Sequence, residues 1–173
     1  MDSTIEELRR RRMDAARLRE LAGKRQAYGE KLAVAFRPVA GRELTLADFS
    51  LGVQVPFNVV LAEKVDASPG LVAAYIHFEE AAKIATCIDE QALSRAGLVG
   101  VLNNEYLGFC RVSEFTVLQA LKVAQDINDT VVFFPDDLNG AIVVDCYSGG
   151  AWGEFSLIVQ GGQAIESAAM CFK

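Results

Sequence analysis

From Asp129 to Phe172 apolar residues come in short runs, TVVFF, AIVVDCY and EFSLIVQ, separated by the turn-forming clusters PDDLNG and SGGAWG and followed, after GG, by QAIESAAMCF. Branched and aromatic residues between Asp, Asn, Gly and Ser clusters predict strands joined by tight reversals, an antiparallel meander. Upstream the period changes. Leu8, Ala15, Leu18 and Ala22 are spaced by seven, three and four, which places them on one narrow side of a helix. Ser3-Thr4-Ile5-Glu6 has the form of a capping box and predicts the helix start; Gly23 and Gly29 weaken its second half. Leu32, Val34 and Phe36 lead into Arg37-Pro38, where the proline disfavours helix in the residue before it.

Alternation from Glu43 to Val65 predicts two short strands with Pro56 at a break or edge. Asp66-Ala67-Ser68-Pro69-Gly70 reads as a turn, and Leu71 to Phe78 fits either a strand or the start of a helix. A helix is expected over Phe78 to Arg95, with Ala81, Ala82, Ile84, Ala85, Ile88 and Ala92 on its apolar side and Gly97 as its stop. Leu98 to Leu102 is a short buried run, Asn103-Asn104 a turn, and Leu107 to Val112 a further strand. Ser113 precedes a third helix over Glu114 to Ile127. The order of elements predicts an α+β fold: a mainly antiparallel sheet with helices packed on one face, and a basic N-terminal amphipathic helix. Residues 1–37 read as a helical arm and 38–173 as a single α+β domain.

Composition adds two points. At 173 residues, 51% of them hydrophobic, the chain can bury a core without staples, and it is apolar enough to suggest a partner surface. Charge is uneven. Met1 to Arg37 holds ten Lys/Arg against six Asp/Glu, a net of +4, so the remainder carries −10 of the total −6. An acidic body disfavours nonspecific nucleic-acid binding, and only the arm could supply a basic surface. Arg9 to Arg12 point to most sides of a helix, and Glu6, Glu7 and Asp14 are within reach for ion pairs, so a solvated helix is favoured over a phosphate-reading stripe. Cys87, Cys110, Cys146 and Cys171 are far apart without a C-x-x-C pair and read as buried reduced thiols. With no signal-peptide pattern and no apolar run of membrane-spanning length, the expected setting is cytoplasmic, without membrane contact.

No segment matches a motif specific to one chemistry. His77, the sole histidine, lies in apolar company and reads as structural, though with Glu79 or Glu80 it is a candidate acid-base group. Asp136, Asp137, Asp145 and Glu154 are candidate oxygen ligands for a hard cation, and a small metal-dependent hydrolase built on them is one alternative function. A small-ligand sensor with a pocket between helices and sheet is another. Asp136-Asp137 before Asn139-Gly140 is more simply a hairpin turn. The loop Ser148 to Gly153 has no phosphate-binding lysine, and Trp152 within it is either a plug over the core or a contact anchor. The leading expectation is a noncatalytic interaction or assembly subunit, an adaptor or inhibitor-type binder that binds a protein or itself and requires no cofactor or metal. Its candidate partner-binding residues are Leu8, Arg11, Arg12, Leu18, Trp152 and Glu154.

Overall fold

A computed structural model describes residues 2–59, 70–91, 96–137, 139–146 and 154–172. The meander is present as β5 (Val131–Pro135), β6 (Ala141–Cys146) and β7 (Phe155–Gln160), paired antiparallel with Val132 opposite Val143 and Val143 opposite Ile158. Four further strands extend it: β1 (Phe49–Ser50), β2 (Gly70–Ile76), β3 (Gly97–Val101) and β4 (Phe109–Val112). The sheet runs β1-β4-β3-β5-β6-β7-β2, and every pairing is antiparallel.

Alternation along each strand divides its side chains between two faces. Val131, Phe133, Ile142, Val144, Phe155, Leu157 and Val159 belong to the main core, into which the helices pack. These are α1 (Asp2–Ala35), α2 (Arg37–Ala40), α3 (Phe78–Glu90), α4 (Val117–Ile127) and α5 (Gly162–Ala168). On the opposite face Val132, Phe134, Ala141, Val143 and Ile158 form a second, smaller core closed by Val55, Phe57 and Val59. Burial on both faces explains why TVVFF and AIVV are continuous apolar runs instead of alternating ones. The architecture is therefore α+β, an antiparallel sheet with its helices on one face.

Several boundaries differ from the sequence expectation. α1 runs unbroken through Gly23 and Gly29, and Phe36 stays in helical backbone before α2, whose first turn contains Pro38. A proline there lacks only an N–H that the first turn leaves unbonded anyway. Between Glu43 and Val59 the two expected strands reduce to a 3₁₀ turn, Leu46–Asp48, and the two-residue β1; residues 60–69 lie outside the described ones. The expected stop at Gly97 is displaced: α3 ends at Glu90 with Gln91 as its C-cap, residues 92–95 are outside the described set, and Gly97 opens β3. It has to be glycine because a Cβ there would meet the Phe134 carbonyl at 2.2 Å. The third helix begins at Val117, with Thr116 in place of Ser113 as its cap, accepting from the Gln119 N–H at 3.3 Å. After β7 the final apolar run is helical, α5 followed by a 3₁₀ turn over Ala169–Phe172. The helix start expected at the Ser3 to Glu6 capping box is displaced, since α1 begins at Asp2 and Ser3 lies within it; described side chains begin at Ile5.

The thiol expectation is corrected for two of the four cysteines. Cys87 on α3 and Cys171 in the C-terminal turn form a disulfide across 84 residues. Cys110 is buried and free, Cys146 half-buried and free. Sequence spacing gave no warning because the pair is adjacent only after the chain end packs back beside α3.

Candidate functional site

α1 is mounted by one end. Arg25 donates through Nη1 to the carbonyls of Tyr106 and Leu107 at 2.7 and 2.6 Å, and through Nη2 to those of Leu46 and Phe49 at 3.2 and 2.7 Å. The acceptors belong to two separate loops, so one planar guanidinium ties both to the helix. Asn104 shapes the first loop, its Oδ1 accepting from the Leu107 and Tyr106 N–H groups at 2.8 and 3.2 Å. One turn further, Gly29 is buried so closely under Leu46 that a Cβ would lie 2.7 Å from Leu46 Cδ1. Ala33 and Phe36 then enter the core at 0% exposure.

Towards the N-terminus the helix leaves the body. Every residue from 5 to 20 is exposed, a stretch of about 24 Å at 1.5 Å per residue. Its last lateral tie is the ion pair of Arg17 with Glu105, and the carboxylate beside it holds the Arg17 guanidinium above its ordinary range. On this free segment Leu8 is 52% and Leu18 67% exposed, joined by Ile5 and Met13. Arg11 pairs with Glu7 one turn away at 2.6 Å and Arg12 is exposed, so the basic tetrad is a solvated, partly paired surface.

The residues that position the stripe continue its spacing. From Leu18 the positions Ala22, Arg25, Gly29, Leu32 and Phe36 follow at alternating steps of four and three. The C-terminal half of this stripe is buried in the body and the N-terminal half is bare. Arg25 and Gly29 escape a reading by polarity, because a charged residue and a helix-weakening one occupy the apolar face. Their place in the three-four spacing was the available signal.

Other candidate positions are dispersed. Asp136 pairs with Arg111 at 2.5 Å beyond one end of β5, while Asp145 accepts from Thr130 Oγ1 at 2.6 Å beyond the other. Glu154 is exposed, and its backbone N–H donates to Ile76 O. Among the described residues no group of three or more His, Cys, Asp or Glu side chains is placed to hold a metal ion. His77 is exposed at the start of α3, its backbone N–H facing the Glu80 carboxylate at 3.4 Å, a helix-start role. Trp152 and the loop around it lie outside the described residues. Burial, with the Glu154 and Asp145 carboxylates adding to it, pushes the Cys146 thiol up. Open clefts lie at the margins: one of about 470 Å³ where Leu21 and Lys24 face Asn103 and Asp129, another of about 460 Å³ between Arg111, Asp136 and Gln163. Comparison with protein-family models, with curated proteins and with solved structures finds no match. Among the described residues no helix is long and apolar enough to cross a membrane.

Proposed function

We propose that this chain is a noncatalytic interaction or assembly subunit whose N-terminal helix engages a protein partner. One observation supports the reading above the rest: α1 is clamped by Arg25 and Gly29 at its base, yet exposes every residue from 5 to 20, Leu8 and Leu18 among them. A lone helical segment of that length is marginal in water, and helices in proteins draw most of their stability from a packed apolar face. A helix started from a rigid base and left with a bare apolar stripe is the form of a binding element that a partner completes, the base supplying the costly nucleus and the partner the packing. In this reading Leu8 and Leu18 are the apolar contacts, Arg11 and Arg12 flank them, and Trp152 with Glu154 supplies a second contact region.

The test is the size of the native assembly. Full-length chain in a gently prepared lysate of its source cells is expected to migrate well above its own mass, and Leu8→Asp with Leu18→Asp is expected to return it to free-chain migration. Unchanged migration of that double variant, with its fold intact by circular dichroism, would exclude the helix as the binding element.

A further inference from the structure

We infer that the partner of the bare stripe is a second copy of this chain, and that the two helices pair in parallel over residues 5–22. The inference rests on the interaction role proposed above and specifies its partner. It follows from placing the stripe in heptads. With Leu8, Ala15 and Ala22 at position a, position d holds Arg11 and Leu18. Position g is then Glu7 and Asp14, and position e is Arg12 and Arg19.

In a parallel pair each g residue faces the e residue five places on in the other helix. Glu7 therefore meets Arg12 of the second copy and Asp14 meets its Arg19, and twofold symmetry repeats both contacts. In an antiparallel pair g faces g and e faces e. Acid would then oppose acid and arginine oppose arginine, so the flanking charges at g and e select the parallel arrangement. One chain supplies both halves of the complementarity, as an isologous twofold interface requires.

The seam is also continuous with an existing one. Arg25, Gly29, Leu32 and Phe36 carry the same register into the chain's own body, so the stripe is covered in cis from Arg25 onward and bare before it. The coil ends where each body takes over the stripe, and the helices diverge there. Alanines at a permit close approach of the two backbones. Arg11 is the polar member of the seam and faces its own copy in a parallel pair, a like-charge contact that lowers the stability of the dimer; each Glu7, 2.6 Å from Arg11 within its own helix, is shared between that guanidinium and Arg12 of the second copy. A single polar position of this kind fixes register at some cost in stability. With fewer than three heptads the dimer is concentration-dependent.

Light scattering of the purified full-length chain over about 1 to 100 µM is expected to rise from 18.8 kDa towards twice that mass. Arg12→Glu with Arg19→Glu turns four attractive contacts repulsive and is expected to raise the dimer dissociation constant about 30-fold or more. Mixing that variant with Glu7→Lys/Asp14→Lys chains is expected to restore a dimer. Orientation is read by oxidative cross-linking: Ala15→Cys and Ala22→Cys each link to themselves in a parallel pair, against the wild-type background, whereas an antiparallel pair allows at most one of them. Monomeric mass throughout, indifference to the charge reversal, or cross-linking at only one of the two positions would overturn the proposal. A monomeric purified chain whose native assembly still depends on Leu8 and Leu18 would assign the stripe to a different protein, overturning the second copy while leaving the interaction role intact.

Discussion

The guanidinium of Arg25 donates to the Leu107 carbonyl at 2.6 Å and, with the same planar group, holds Tyr106, Leu46 and Phe49. It lies half-buried at the point where α1 leaves the body. Replacing it by alanine strands several carbonyls that the loops cannot redirect to water without moving. Arg25→Ala is expected to cost about 2–4 kcal/mol in urea denaturation. Arg25→Lys is expected to recover only a minor part, since one ammonium cannot span acceptors from two loops. Amide exchange in residues 5–24 should accelerate in both variants.

Gly23 and Gly29 separate intrinsic helix cost from packing. A Cβ at Gly23 meets nothing within 4 Å, so Gly23→Ala is expected to stabilise by about 0.5–1 kcal/mol. At Gly29 the same gain is opposed by the Leu46 methyl groups, 2.7 and 2.9 Å from the new atom. They terminate a flexible side chain and can shift, so Gly29→Ala is expected to fall within about 1 kcal/mol of neutral. Thermal melts of the two variants side by side check both signs.

Periodicity was sufficient to anticipate the meander, the helices α1, α3 and α4 and the side on which Leu8 and Leu18 lie, because local alternation and three-four spacing survive into the fold. It failed where tertiary partners decide. Gly97 looked like a helix stop, but it is a strand residue pressed against the Phe134 carbonyl. Ser113 looked like a cap, but α4 begins at Val117 because Asp89, 28 residues earlier, accepts from the Val117 N–H at 2.7 Å. Neither the four carbonyls around Arg25 nor the approach of Cys171 to Cys87 has any local signature.

Asp89 is thus a helix cap delivered by another helix, accepting also from the Leu118 N–H at 3.1 Å. An ionised acceptor at an N-terminus satisfies unpaired N–H groups and complements the helix dipole. Asp89→Ala is expected to destabilise by about 1–2 kcal/mol and Asp89→Asn by less. Chemical denaturation at neutral pH measures both, and equal losses would show that its charge contributes nothing.

Acid sensitivity has a traceable source at Asp48. Its carboxylate accepts from the Thr45 N–H at 2.9 Å and from Arg42 Nη1 at 2.9 Å, and these contacts hold its pKa below the ordinary value. A depressed folded-state pKa means the unfolded chain binds the proton first as pH falls. The contribution of Asp48 is therefore complete above the unfolded value, about 3.9, and is lost as pH falls through the lower folded value. Asp48→Asn is expected to flatten the pH dependence of stability below about pH 4 while leaving its slope near neutrality unchanged. Urea melts of both chains across pH 2 to 7, roughly the range that carboxylates titrate, decide it.

The Cys87–Cys171 bond links residues 84 apart in sequence and joins the C-terminal turn to α3. A cross-link of that span limits the unfolded ensemble, with an expected contribution of about 3–5 kcal/mol. Thiol titration in denaturant without reductant is therefore expected to find two reactive groups, Cys110 and Cys146, among the four cysteines. Reductant is expected to lower the melting temperature, and Cys87→Ser to abolish that sensitivity. Because disulfides persist mainly in oxidising compartments, the same titration on protein trapped with an alkylating agent at lysis also bears on location. Two free thiols at the moment of lysis would indicate an oxidising setting, and four would indicate a cytoplasm in which the bond is held reduced.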